Sequence, residues 1–271
     1  MSTTSIQDSA LAVSLQRETS AEVFFDDFSR GLYSTDASIY QIMPLGVVVP
    51  KTEEDVRTTL SIAFENGISV TMRGGGTSQC GQTVGEGIII DVSKNLRSLV
   101  SVDPEKRQAL VQPGIVLDQL NTRLKQDGLF FPVDVSTSSR ATVGGMTANN
   151  SCGARSIRYG KMVDNVREVD AVLVDGSSMK FGKWDNGTAS AVPQWQQELV
   201  SQLIDLGTRE SEEVAKCFPR VQRRVGGYNL DVLSAESGSS LNLAQLLVGS
   251  EGTLAVSNQI TLSLQPIPEH K

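Results

Sequence analysis

Alternation between apolar and polar positions predicts a β-α-β unit near the start of the chain. Gly46–Val49 is a short apolar run, and Thr52 after it has the character of a helix N-cap, with acidic residues in the first turn. One face of the helix would carry Val56, Leu60, Ala63 and Phe64. A second apolar run at residues 68–72 completes the unit.

The remaining patterns extend this to a mixed architecture. We expect further helices near residues 9–17, 21–29, 116–124, 194–206 and 210–217, and strands near 88–92, 99–102, 107–112, 169–174, 177–181 and 254–264. The fold class is therefore α+β. We divide the chain into an N-terminal helical segment (1–38), a small β-α-β lobe (about 39–95) and a larger mixed-sheet lobe with helices (about 96–268).

The composition of the chain limits the classes of partner that it can bind. The chain of 271 residues has a net charge of −7, which argues against a nucleic-acid partner and a polybasic membrane patch. No apolar stretch approaches the roughly 20 residues that span a bilayer, so we expect no transmembrane segment. The first residues lack signal-peptide character. Three separated cysteines predict no disulfide framework, and we expect Cys80 and Cys152 to be small buried thiols in a cytoplasmic protein.

Histidine is nearly absent, and its position matters. The single histidine is His270, close to the last residue. A Ser-His-Asp or Cys-His site and a histidine-rich metal site are therefore excluded. We expect no metal, and we expect the difficult chemistry to come from a cofactor or from residues outside this chain.

A run of three glycines follows the apolar stretch at 68–72, in the segment Arg73-Gly74-Gly75-Gly76-Thr77-Ser78. Glycines leave several N–H groups unobstructed, which favours binding of a diphosphate, and Arg73 would be oriented for anion capture. The pattern matches neither the dinucleotide-binding nor the P-loop motif, and a plain tight turn is the alternative. We expect a bulky residue at Gly75 to abolish cofactor binding in a folded protein.

Two further segments are rich in glycine and small polar residues. Residues 132–151 combine hydroxyl and amide side chains with Gly144 and Gly145, which favours a polar wall against a ligand over a solvated loop with side-chain caps. Residues 249–256 contain a Gly-Ser-Glu-Gly turn before a strand, and alone they would read as an ordinary connection.

Taken together, these segments resemble the FAD-binding domain of the vanillyl-alcohol-oxidase type (PCMH-type, FAD-linked oxidase). The similarity is greatest to the branch of glycolate oxidase and of D-lactate and D-2-hydroxyglutarate dehydrogenases. It covers residues 30–268 and rests on the matching pieces 47–56, 73–78, 141–145, 159–161, 227–230 and 249–256. Residues 34–40 resemble the large members that are fused to an iron–sulfur region.

The resemblance implies noncovalent FAD, because Thr77 and Ser78 stand where some relatives carry an attaching histidine. The first segment would hold the diphosphate, the second would follow the diphosphate, ribityl chain and flavin ring, and the third would close over the adenine end or the adjoining sugar. The implied residues are Arg73, Gly74, Gly75, Gly76, Thr77, Ser78, Gly81, Gln82, Asp134, Ser138, Thr142, Gly144, Gly145, Asn150, Ser151, Glu251, Gly252 and Val256. Met146 replaces an asparagine that is frequent after the paired glycines.

The resemblance also implies a whole enzyme that oxidises a small-molecule 2-hydroxy acid by hydride transfer to flavin N5. We expect the substrate domain to be absent from this chain, which would then be inactive alone and would need that domain or a partner subunit, with an iron–sulfur region as one electron acceptor. Such partners could hold it peripherally at a membrane. Two alternatives stay open: a stand-alone FAD-binding or electron-transfer subunit, and the cofactor lobe of a sugar-oxidising relative.

Overall fold

The computed structural model describes residues 6–234 and 241–269. Its first lobe contains three helices and a four-stranded sheet. The elements are α1 (Ile6–Glu18), β1 (Glu22–Phe24), α2 (Asp27–Leu32), β2 (Gly46–Val49), α3 (Glu53–Glu65), β3 (Val70–Arg73) and β4 (Ile88–Asp91). The strand order is β1-β2-β4-β3, in which β2, β4 and β3 are parallel and β1 is antiparallel to β2.

Branched apolar residues explain the parallel part of this sheet. Val47, Val48 and all three isoleucines of β4 are fully buried, as is usual for central strands that are covered on both faces. Asp55 then fixes the start of α3 through a capping box with Thr52. Burial raises the pKa of Asp55, but hydrogen bonds from Ser20, Lys51 and Thr52 outweigh it and hold the pKa below its usual value.

The second lobe is built on a five-stranded antiparallel sheet. Its elements are β5 (Leu99–Asp103), β6 (Gln108–Val111), α4 (Leu117–Leu124), β7 (Leu129–Phe130), α5 (Val143–Asn149), α6 (Ser156–Tyr159), α7 (Met162–Asn165), β8 (Val166–Val172), β9 (Ser178–Phe181), β10 (Lys183–Trp184), α8 (Asn186–Ala191), α9 (Gln194–Arg209), α10 (Ser211–Cys217), β11 (Leu241–Asn242), α11 (Ala244–Leu247), β12 (Val256–Ser263) and β13 (Gln265–Pro266). The main sheet has the order β5-β6-β12-β8-β9. The expected α+β class with two lobes is confirmed.

The two lobes share buried surface. The larger apolar core lies between the five-stranded sheet and the helices of the second lobe. Val172 of β8 and Val256 of β12 instead belong to the core cluster of the first lobe, which also contains Val56 and Ile90. The segments that follow β3 and precede β12 are thereby brought to one region of the molecule.

Two local predictions were wrong. Residues 21–29 are not one helix: Glu22–Phe24 pairs with β2, and Asp26 caps a helix that begins at Asp27. Phe64 is 54% exposed, because it lies at the end of α3 beyond the covered face. The segment at 141–151 is largely helix α5, which begins after the N-cap residue Thr142. Among the described residues, no helix is long and apolar enough to cross a bilayer.

Candidate functional site

A cavity of about 1060 Å³ lies where the carboxyl end of β3, the start of α5 and the turn before β12 meet. This volume is at the upper end of the range for ligand pockets and calls for a large ligand. The cavity lies outside the carboxyl ends of parallel strands, where open α/β sheets generally bind ligands. Of the residues predicted for the cofactor, it brings together Arg73, Gly74, Gly75, Gly76, Thr77, Ser78, Gln82, Asp134, Thr142, Gly144, Gly145, Asn150, Ser151, Glu251, Gly252 and Val256.

Two predicted residues do not line the cavity. Gly81 has a φ of 80° and packs against the ring of Tyr40. The carbonyl of Ser138 accepts a hydrogen bond from the amide of Asp118, which ties the segment to α4. Both residues therefore support cavity-lining segments from behind.

The glycine loop, defined here as residues 73–83, presents unused donors. Within the described part of the chain, the amides of Gly75, Gly76, Thr77 and Ser78 donate no hydrogen bond. Gly76 has a φ of 62°, which glycine tolerates best. Consecutive free amides form an anion-binding concavity, so this loop suits a diphosphate.

Close packing also explains why the first two residues after Arg73 in this loop are glycines. A Cβ on Gly74 would overlap the hydroxyl of Thr142, and one on Gly75 would overlap the backbone carbonyl of Arg140. The close approach of the loop to the second lobe therefore requires both glycines. A bulky residue at Gly75 would therefore clash with backbone, and a loss of FAD binding in such a variant would have to be separated from damage to the fold.

The first turn of α5 forms part of the cavity wall, but its backbone amides already donate hydrogen bonds to protein acceptors. The amide of Val143 donates to Ile115 (2.9 Å), that of Gly144 to Pro113 (2.8 Å), and that of Gly145 to the Thr142 hydroxyl (3.3 Å). Gly145 is nevertheless open: beyond its own helix backbone and chain neighbours, a Cβ there would meet only the Thr142 hydroxyl, at 3.2 Å. Gly145 therefore leaves room on the cavity side of the helix.

Asn150 places an unsatisfied donor beside the cavity. Its carboxamide oxygen accepts a hydrogen bond from the amide of Val163 at 3.0 Å, which fixes the orientation of the group. Its Nδ2 is buried and has no partner among the described residues. Such an atom costs free energy unless a partner is supplied, and a bound ligand is one source.

The turn before β12 is attached to the carboxyl end of α5. The amides of Gly249 and Glu251 donate to the carbonyls of Thr147 and Ala148, each at 2.9 Å. The Glu251 carboxylate accepts a hydrogen bond from Asn149 Nδ2 at 3.0 Å. Glu251 and Gly252 both have positive φ, so the turn is sharp and closes one end of the cavity.

Arg73 is committed to the protein and does not extend freely into the cavity. Its guanidinium donates to the carbonyls of Thr83 (3.1 Å) and Thr35 (2.9 Å) and lies 5.8 Å from the ring centroid of Tyr33. The other charged residues of the lining are Asp134 and Glu251. Among the described lining residues, the groups available to a diphosphate are therefore mainly neutral amides.

The cysteine prediction was wrong in its placement. Cys80 is exposed and Cys152 is partly exposed, and both line the cavity. They lie on loops that border the opening, which sequence periodicity does not show.

The sequence interpretation gave no role to a hydroxyl pair near the last turn. Tyr228 and Thr253 approach within 2.7 Å, and Thr253 lines the cavity. The segment is held by Asn229, whose buried carboxamide donates to Gln245 and Val248. The sequence could have indicated this pair, because residues 227–230 are one of the segments that carry the family resemblance.

The donors, the glycine clearances and the cavity size together fit a large dinucleotide cofactor that carries a diphosphate. Comparison with known proteins agrees. The family described as FAD binding domain matches residues 44–182, just over half of the chain. The chain therefore belongs to this FAD-binding family, and FAD is its cofactor.

The relatives and the fold are consistent with this assignment. The chain is 35% identical over 255 residues to D-2-hydroxyglutarate dehydrogenase of Pseudomonas putida, covering 92% of the chain and 25% of that protein. It is 29% identical to glycolate oxidase subunit GlcD of Bacillus subtilis, covering 91% of the chain and 43% of that protein. A solved structure of alkyldihydroxyacetonephosphate synthase superimposes with a TM-score of 0.69 at 17% identity, over 96% of this chain and 44% of the other. The expected PCMH-type fold is confirmed.

Proposed function

We propose that this chain is the FAD-binding part of a flavin-linked enzyme that oxidises a 2-hydroxy acid. The observation that carries the FAD site is the run of consecutive amides from Gly75 to Ser78, shortly after β3, which donate no hydrogen bond within the described residues. The names of the relatives support the substrate class, because D-2-hydroxyglutarate and glycolate are both 2-hydroxy acids. When bound, FAD supplies a two-electron acceptor for a hydride from the substrate carbon.

The residues of this chain hold and shield that cofactor. The amides of Gly75, Gly76, Thr77 and Ser78 bind the diphosphate, and Asn150 donates its free Nδ2 to an acceptor on the cofactor. The second-lobe segments around Asp134, Thr142, Gly144, Gly145 and Ser151 form the wall along the ribityl and flavin portions. The turn with Glu251, Gly252 and Val256 closes the adenine end.

We propose that FAD is held noncovalently. Thr77 and Ser78 occupy the loop where histidine attachment would occur, and the single histidine of the sequence is His270, outside the described residues. The thiols of Cys80 and Cys152 border the same cavity, so release of free flavin tests this point directly.

The substrate-binding part lies outside these 271 residues in our proposal. The chain spans about a quarter of the length of the D-2-hydroxyglutarate dehydrogenase relatives and 43% of the glycolate oxidase subunit. The remaining length, or a partner subunit, would bind the substrate and accept its proton, and an iron–sulfur region would carry electrons away. We also propose a cytoplasmic location.

Spectroscopy of the purified chain tests this function. Flavin absorption bands are expected, and heat denaturation should release the flavin into the supernatant with one FAD per chain. A colourless protein that takes up no added FAD would contradict the proposal. Flavin that stays with the precipitate would contradict noncovalent attachment and would point to Cys80 or Cys152.

A further inference from the structure

The N-terminal loop, defined here as residues 34–43, packs along the glycine loop. The amide of Ala37 donates to the carbonyl of Gly76 at 3.1 Å. The carboxylate of Asp36 accepts a hydrogen bond from the Thr83 hydroxyl at 3.0 Å. These two contacts hold the middle and the end of the glycine loop.

Two further contacts hold the rest of it. Arg73 donates to the carbonyl of Thr35 on the N-terminal loop and to the carbonyl of Thr83 at the far end of its own loop, so its guanidinium closes the loop on itself. The ring of Tyr40 fills the space where Gly81 would carry a Cβ. Arg73, Gly76, Gly81 and Thr83 are thus all contacted from one neighbouring segment.

The N-terminal loop is itself shaped for these contacts. Asp36 accepts a hydrogen bond from the amide of Ser38 at 2.8 Å, and Thr35 and Gln41 form an isolated antiparallel bridge. Burial raises the pKa of Asp36, but the hydrogen bonds from Ser38 and Thr83 hold it below its usual value, which keeps the carboxylate ionised.

We infer that the N-terminal loop is a positioning element, which holds the glycine loop with its free amides facing the cavity before FAD binds. Arg73, a residue of the glycine loop, links that loop to the N-terminal loop and makes no contact of its own with the diphosphate. That the bound ligand is FAD rests on the proposed function. That the N-terminal loop orders the glycine loop does not depend on it. Preorganised donors bind more tightly because less conformational entropy is lost on binding.

The test compares three variants of the chain with an outward-facing control. Thr83→Val removes one hydroxyl with little change of shape, Asp36→Ala removes its acceptor, and Arg73→Lys keeps the charge but loses the planar fork that reaches two carbonyls. Ile39→Ser is the control, because Ile39 belongs to the same loop and is 95% exposed.

The first readout needs no FAD. Backbone ¹⁵N relaxation of the apoprotein should give order parameters of about 0.85 for residues 75–78 in the wild type and the control, and below about 0.6 in the three variants. Amides of β12 serve as an internal reference and should not change. If Asp36→Ala or Arg73→Lys also loosens β12, Thr83→Val alone decides the outcome.

The second readout is FAD affinity, from quenching of flavin fluorescence. We expect the dissociation constant to rise about fivefold for Thr83→Val and about tenfold or more for Arg73→Lys, with no change for Ile39→Ser. Unchanged order parameters, or looser residues 75–78 with unchanged affinity, would overturn the inference. Near-normal FAD binding by Arg73→Lys would also contradict the linking role of Arg73, because a lysine could still form an ion pair with the diphosphate but could not bridge the two carbonyls. If the wild type binds no FAD, the proposed function fails, and the relaxation data still decide whether the loop is positioned.

Discussion

Gly145 offers the sharpest single perturbation of the cofactor site. It is the third residue of α5, and its missing side chain leaves space on the cavity side of the helix. In an ordinary helix, replacement of glycine by alanine stabilises the protein by up to about 1 kcal/mol. The lack of a side chain at this position is therefore explained if the cofactor lies against the helix.

The effects of Gly145→Ala on folding and on binding should have opposite signs. A new Cβ would meet the Thr142 hydroxyl at 3.2 Å, a tight contact that offsets part of the helix gain. We expect the apoprotein melting temperature to stay the same or rise by about 2 °C. The methyl group would intrude on a close-packed ligand at a cost of about 2 kcal/mol, which corresponds to roughly 30-fold weaker FAD binding.

Fluorescence titration with FAD and thermal unfolding of the apoprotein measure the two effects. Gly187→Ala is the matched control, since Gly187 lies in the first turn of the short helix α8 outside the cavity lining, and its nearest contact for a Cβ is Asp185 at 3.4 Å. The control should keep wild-type affinity. Wild-type affinity in Gly145→Ala would refute the reasoning, because the cofactor would then not lie against the start of α5.

Three further predictions concern the cofactor site and the start of α3. If neutral amides bind the diphosphate as proposed, FAD binding should weaken by less than about threefold between 50 and 500 mM NaCl, and a tenfold loss would indicate a paired cation. Asn150→Asp keeps the side-chain shape but removes the buried Nδ2 donor, so FAD affinity in the same titration should fall about tenfold; an unchanged value would contradict the role of Asn150. Asp55→Asn should lower the free energy of urea unfolding by about 3 kcal/mol at pH 7. Because folding lowers the pKa of Asp55, the difference in unfolding free energy between the wild type and Asp55→Asn should be largest above about pH 4, the pKa of an unfolded aspartate. It should shrink as the pH falls through the pKa of Asp55 in the folded protein. A difference that does not depend on pH would contradict this role of Asp55.

The sequence was sufficient for most elements whose signal is local. The capping pattern at Thr52, the apolar runs of β2 and β4 and the glycine run after β3 predicted the first lobe correctly, because burial on both faces and helix caps are encoded by neighbouring residues. The β1 strand was missed because its three residues gain their conformation from pairing with β2.

The site depended on the family resemblance and on tertiary placement. The sequence alone was enough to identify the glycine segments. It did not show that the first amides of α5 already donate hydrogen bonds, or that the Arg73 guanidinium donates to the carbonyl of Thr35. The exposure of Cys80 could not be derived either, since it follows from where its loop lies relative to the cavity. Long-range hydrogen bonds of this kind leave no periodic pattern in the sequence.

The central claim is that the free amides of the glycine loop bind the diphosphate of FAD. The most direct measurement is a ¹H–¹⁵N correlation spectrum of the apoprotein during titration with FAD, ADP and riboflavin. Our account predicts downfield shifts of the Gly75, Gly76, Thr77 and Ser78 amide protons with FAD and, at higher concentration, with ADP, and no comparable shifts with riboflavin, which lacks phosphate. Saturation by FAD without movement of these four resonances would contradict it.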